Sequence, residues 1–260
     1  MTEQNNEPKD TVSYHLDDGE FAGLSFLYVR ALLSIVAATF LAVGAVTAPW
    51  GIVVVVMIIG SLLILGWPVL LNLPNRSTTR LAMSLVFLLL LAAGIWGSLT
   101  LSALAAAFGI VVVFATEMMR PADAFRRLEQ LAGTYLGITL LTSATLWIHA
   151  ANLVDGIRIS VMIALISGIV SIFHAFQSRT LEFVSLINGI VVGGASALIL
   201  SLPWWSGILA GVAVPLAFQL TQRAVADVLR PGRLQANISR TFVPFSALGM
   251  VALAIGLLVD

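Results

Sequence analysis

From residue 27 onward, apolar residues run in long stretches and charged residues gather in short clusters between them. A helix needs ~20 predominantly apolar residues to cross the hydrocarbon core of a bilayer, and about 17 suffice. Nine stretches meet that length: 27–47, 51–71, 81–97, 100–117, 133–150, 157–176, 183–202, 206–222 and 243–259. Two apolar runs are too long for one span. Each is cut where the backbone turns most readily, at Gly97-Ser98 and at Pro203. The predicted fold is an all-α polytopic transmembrane bundle of about nine spans, or eight if one of these short hairpins does not cross.

Composition agrees with that pattern. Apolar residues make up 59% of 260 positions and charged residues only 10%, with a mean hydropathy of +1.02. A soluble domain carries roughly 25% charged residues. One dry core cannot absorb so much apolar surface, so lipid is the expected solvent. Residues 1–22 are different: they hold six acidic residues and one lysine, which predicts a disordered acidic cytoplasmic tail rather than a signal peptide. Residues 23–260 form the membrane domain. The formal net charge is zero, which argues against nucleic acid as a partner. There is no cysteine, so thiolate catalysis and cysteine-ligated metals are excluded.

Basic residues in short loops set orientation. With the amino terminus inside, twelve of the 13 Lys and Arg residues fall on the cytoplasmic side and Arg158 alone falls outside. Trp50, Trp96, Trp147, Trp204 and Trp205 all map to the predicted outer turns, with Trp67 at an inner helix end. Half-wet indoles favour the headgroup level.

The largest charged cluster, PADAFRRLEQL at 121–131, predicts an amphipathic helix lying in the inner interface. Phe125 and Leu128 would enter the acyl boundary, Arg126 and Arg127 would face headgroups, and Asp123 would pair with Arg127 at i,i+4. The alternative is a catalytic or docking loop using Glu117 or Asp123, although no partner residue stands at a motif spacing. A similar charged segment, RAVADVLRPGRLQANISR, follows the eighth span. The recurring Arg-Pro pairs, Arg120-Pro121 and Arg230-Pro231, suggest a parallel repeat relating 81–138 to 183–249, set against chance recurrence.

No Asp, Glu, Lys or Arg is expected mid-span, which disfavours a proton-driven pump. Polar residues collect near the inner half of the later spans. His174, Gln177, Asn188 and Gln219, with Glu182 and Glu117, are candidates to line a substrate-binding pocket open to the cytoplasm. The competing reading is that they bond neighbouring helices, at ~0.6 kcal/mol apiece. Gly189 and Gly193 on the seventh span, and Gly207 and Gly211 on the eighth, form small-residue stripes that let backbones approach. With Pro215 they describe either a gating pair or a tightly packed, static one. On the outer side, His149, Asn152, Asp155 and Arg158 are close in sequence, as a headgroup site or as a simple Asp–Arg turn. No metal and no cofactor are expected: there are three His and no ligand spacing.

The runs LGWPVLLNLP at 65–74, FATEMMR at 114–120 and LAGTYLG at 131–137 resemble a group of polytopic integral membrane proteins from actinobacteria, described as hypothetical membrane proteins or permeases. The resemblance implies a bacterial cytoplasmic membrane and supplies no catalytic residues. The expected function is a permease-like transport protein for a neutral solute or a lipid-linked compound, with membrane lipids as its surroundings. The alternative is a scaffold or envelope-assembly partner that docks a protein partner, or a second copy, through its charged helices. A lipid-modifying enzyme ranks third, because buried acids, bases and metal ligands are scarce.

Overall fold

The computed structural model describes residues 17–47, 49–119, 126–175, 179–226 and 234–260, of which the helical share is overwhelming and no strand is present. The helices are α1 Asp17–Thr47, α2 Pro49–Leu70, α3 Arg76–Trp96, α4 Leu99–Met118, α5 Arg127–Ala151, α6 Gly156–Ala175, α7 Arg179–Ile199, α8 Trp204–Ala226 and α9 Leu234–Val259. Among the described residues, nine helices are long and apolar enough to cross a membrane. The protein is a multi-pass membrane protein by that measure. Its surface agrees, since large side chains such as Leu32, Phe40, Leu88, Leu104 and Val111 are exposed where a water-soluble fold would bury them.

Cross-helix pairs give the direction of each helix. Thr79 meets Thr134 at 3.5 Å and Gly94 lies against Ile148, so α3 and α5 run the same way. Ser102 meets His149 and Tyr135 reaches the Ile110 carbonyl, so α4 runs against α5. The same alternation holds for α7 and α8, where Gly189 opposes Gly211 and Gly193 opposes Gly207. One end of the bundle therefore carries Arg30, Arg76, Arg80, Arg126, Arg127, Arg223 and Arg240, here called the arginine end. The other carries Arg158 and most of the tryptophans. Trp50, Trp96 and Trp204 are exposed there, as an interfacial belt requires. Trp147 is not part of that belt: it is buried, and its Nε1 donates to the Phe245 carbonyl at 3.0 Å.

Helices α2, α5, α6 and α9 are the most deeply buried, and α4 and α7 the least. Lipid tails are as apolar as leucine, so close packing and interhelical hydrogen bonds must hold such a bundle together. Trp67 Nε1 donates to the Gly133 carbonyl at 2.8 Å, and Ser143 Oγ donates to the Ala247 carbonyl at 3.0 Å. At Gly249 the chain of α9 comes so near the Ser143 carbonyl that a β-carbon would overlap it. Pro68, Pro215 and Pro244 sit inside helices without ending them, a placement tolerated where neighbouring helices shield the freed carbonyl.

Several boundaries differ from the sequence expectation. Residues 17–22, assigned to the acidic tail, already belong to α1, and residues 1–16 lie outside the described residues. Helices α3, α5 and α9 begin at Arg76, Arg127 and Leu234, before the expected 81, 133 and 243. Hydropathy marks where lipid begins, whereas a helix begins where its first N–H groups find partners. Asn75 does this for α3, its side chain accepting from Thr78 N. The expected interfacial helix over 121–131 does not pass through Arg126, whose backbone is left-handed at φ 54. Arg126 pairs with Glu129, and Arg127 and Leu128 form the first turn of α5 itself. Phe125 and Asp123 lie outside the described residues, as do both Arg-Pro pairs of the expected repeat. Packing in the two related regions differs: α3 runs along α5, but α7 has no comparable contact with α9.

Candidate functional site

Polar side chains inside an apolar bundle must bond one another or a ligand. At the arginine end, five helices bring such groups together. Helix α8 supplies Gln219, Gln222 and Arg223, spaced so that the two carboxamides are one turn apart on neighbouring faces. Glu182 of α7 accepts from Gln219 Nε2 at 2.7 Å and from Arg223 Nη2 at 2.7 Å, both through Oε2. Gln222 Oε1 accepts from Arg30 Nη2 of α1 at 3.2 Å and from Arg240 Nε of α9 at 3.1 Å. Arg30 and Arg240 are both buried.

His174 completes the group from α6. Its ring lies 5.7 Å from that of Phe218, which stacks edge-on against Phe245 at 5.4 Å. His174 Nδ1 lies 3.1 Å from the Val170 carbonyl and 3.3 Å from Ser185 Oγ. A carbonyl can only accept, so Nδ1 carries the proton in that bond. The neutral ring then presents Nε2 as a bare acceptor. That nitrogen is buried and, among the described residues, no side chain or backbone group bonds to it. Among the described residues of the cluster it is the buried side-chain atom without a partner.

The expected pocket residues separate on this geometry. His174 and Gln219 belong to the cluster: His174 touches Ser185 of α7 and Phe218 of α8, and Gln219, next to Phe218, bonds Glu182 of α7. Asn188 does not: its Nδ2 donates to the Val184 carbonyl of its own helix at 2.9 Å. Gln177 lies outside the described residues. Glu117 is buried on α4, which packs against α3 and α5 rather than against α6, α7 or α8. Sequence reasoning counted Arg30 and Arg240 only as charges that orient the chain, and did not single out Gln222 or Ser185. The signal it passed over is that Arg30 lies inside the first apolar run and Arg240 only three residues before the ninth, where a charge must be covered by neighbours.

The glycine stripes meet each other. A β-carbon built on Gly189 would lie 2.5 Å from the Gly211 carbonyl oxygen and 2.6 Å from Pro215 Cγ, and one on Gly193 would overlap the Gly207 carbonyl oxygen. Backbone therefore touches backbone along the α7–α8 seam, just above the cluster. At the opposite end the residues of the HAANLVDGIR turn diverge. His149 Nε2 bonds Ser102 Oγ at 2.8 Å, Asn152 follows the end of α5, and Arg158 pairs with Asp155 at 2.9 Å. The Asp260 carboxylate caps the Val154 and Asp155 N–H groups at 3.3 and 3.4 Å. That end reads as a satisfied turn. Among the described residues no three His, Asp or Glu side chains converge as metal ligands.

No protein-family model, curated protein or solved structure matches this chain.

Proposed function

We propose that this chain is a permease-like protein of a bacterial cytoplasmic membrane that binds the polar part of a neutral solute or lipid-linked compound at the His174 cluster. The observation that carries this reading is the buried, unbonded Nε2 of His174, an acceptor placed to receive a hydroxyl or amide N–H from a ligand. Gln219 and Ser185 lie on the adjoining helices. The moving element is the α7–α8 pair. Its seam is largely glycine backbone, met only by the small or rigid side chains of Ala197 and Pro215, so one helix can slide on the other with few rotamer changes. The arginine end, with the amino terminus, faces the cytoplasm, because basic residues are retained on that side.

Orientation is directly testable, since a chain without cysteine accepts single reporters cleanly. Ser77→Cys at the arginine end and Val154→Cys at the opposite end are both at exposed positions. In intact cells a membrane-impermeant maleimide is expected to label Val154→Cys, and to label Ser77→Cys only after permeabilisation. The reverse pattern would invert the sidedness.

The ligand reading is tested at His174. In cells lacking the protein, wild type is expected to restore the normal content of small molecules and lipids, measured by mass spectrometry of extracts. His174→Leu is expected to reach the membrane at a similar level and to fail in that restoration. Full restoration by His174→Leu would remove His174 from any ligand site.

A further inference from the structure

We propose that a basin at the arginine end, between the α2–α3 turn and the start of α5, binds a phosphate group, presented by the headgroup of an anionic phospholipid. The basin has a volume of about 700 Å³, and Asn72, Asn75, Arg76, Ser77, Arg80 and Arg126 line it. It is separate from the His174 cluster and does not depend on the transport reading.

The basin is held in shape by its own bonds. Leu73 N donates to the Pro68 carbonyl at 2.9 Å and Asn72 takes a left-handed backbone at φ 49, closing the turn after α2. Leu73 is buried against Gly133 of α5. Gln130 clamps the far side: its Oε1 accepts from Asn75 N at 3.1 Å and its Nε2 donates to the Asn75 carbonyl at 3.0 Å. Asn75 Oδ1 in turn accepts from Thr78 N at 3.2 Å and from Ser77 Oγ at 3.1 Å. A ligand entering here meets a preformed site and orders little of it.

Charge and hydrogen-bond capacity both favour an anion. Arg76 and Arg80 are i,i+4 on α3, and Arg126 joins them through a 3.4 Å bond from Nη1 to the Asn72 carbonyl. The Glu129 carboxylate accompanies Arg126, whereas no carboxylate of the described residues forms an ion pair with Arg76 or Arg80. Arg80 Nη2 is braced by the Leu65 carbonyl at 2.6 Å and by Gln235 Oε1 at 3.4 Å. Its Nε is buried and lacks an acceptor among the described residues. The opening N–H groups of α3 add to the same positive field. Leu65 and Leu81 beside the basin are exposed apolar side chains, so it sits where the greasy girdle ends and headgroups begin. That position selects a lipid phosphate over one dissolved in water.

The experiment uses the purified full-length protein, equilibrated with equal amounts of phosphatidylglycerol and phosphatidylcholine and read by native mass spectrometry for retained lipid. Wild type is expected to retain phosphatidylglycerol preferentially. Arg76→Gln is expected to lower that preference about fivefold, the worth of one basic residue at an anionic surface. Ser77→Asp, which leaves every arginine in place and adds a carboxylate to the basin, is expected to abolish it. Arg158→Gln at the opposite end is expected to leave it unchanged. A second arm titrates inorganic phosphate in zwitterionic detergent and follows thermal unfolding. If phosphate stabilises wild type but neither basin variant, and no lipid preference appears, the basin takes a soluble phosphate compound and the lipid source is overturned. If the basin variants match wild type in both arms, the site itself is overturned.

Discussion

Gly193→Ala is expected to destabilise the protein by about 3 kcal/mol, while Gly194→Ala, one residue further on, is expected to be neutral or to stabilise it by up to about 1 kcal/mol. The two glycines are neighbours in sequence, but only Gly193 continues the four-residue stripe begun by Gly189. They differ by about 100° around α7, and that rotation decides everything. A β-carbon on Gly193 would overlap the Gly207 carbonyl oxygen and lie 3.1 Å from Gly207 C, whereas one on Gly194 meets nothing within 4 Å. The obstructing atoms at Gly193 are backbone, so no rotamer change relieves them and α7 must part from α8. Parting forfeits dispersion contacts along the whole seam, which in lipid is a principal force joining two helices. At Gly194 the added methyl enters open space and removes some backbone entropy from the unfolded chain. Equilibrium unfolding of both variants in mixed detergent micelles checks this. Equal stabilities would mean that the glycine seam does not hold α7 and α8 together.

The second large effect is expected at Gln222. Its single Oε1 accepts from Arg30 at 3.2 Å and from Arg240 at 3.1 Å, so it ties α1 and α9 to α8. Gln222→Leu removes one acceptor from each of two buried guanidinium groups, and a hydrogen bond to a charged group contributes about 1.5–3 kcal/mol. A loss of about 2–4 kcal/mol is therefore expected for the pair of bonds, read by the same unfolding measurement. Gln222→Glu keeps an acceptor oxygen at that place in nearly the same volume and is expected to hold wild-type stability. Should Gln222→Glu fall as far as Gln222→Leu, the NH2 donor of the carboxamide rather than its acceptor would be what matters.

Seam and cluster occupy adjoining parts of α8. Gly207 and Gly211 face α7 higher up the helix, while Gln219, Gln222 and Arg223 bond α1, α7 and α9 below. A displacement of α8 along the glycine seam must therefore change the bonds of Glu182 and Gln222. On the proposed function, ligand at His174 and position of α8 are coupled through those two side chains.

Some of this was legible in residue order and some was not. The length and spacing of the apolar runs were enough to anticipate helices long enough to cross a bilayer, since twenty apolar residues have few other stable fates in water or in lipid. The close approach at Gly189, Gly193, Gly207 and Gly211 was also foreseeable, because a four-residue repeat of glycine places small residues on one helical face. Hydropathy failed at polar helix ends. Leu234 to Phe242 fell outside the expected ninth span because it is charged and hydroxylated, yet it opens α9, and Ser239, Arg240 and Thr241 are buried there against neighbours. Asn188 and Gln219 looked alike in sequence. One bonds its own helix and the other reaches Glu182, because they stand on different sides of their helices.

What residue order determined by itself, then, was where helices long enough for a membrane lie and how the arginines and tryptophans are distributed along them. Both are properties of local composition, which a solvent reads one segment at a time. What only the tertiary structure decided was which polar groups satisfy each other: Gln222 between two arginines, Glu182 between Gln219 and Arg223, and His174 with one nitrogen left over. Those pairings depend on helix rotation and on neighbours distant in sequence, and a hydrogen bond that fails beyond a few tenths of an ångström cannot be inferred from spacing along the chain.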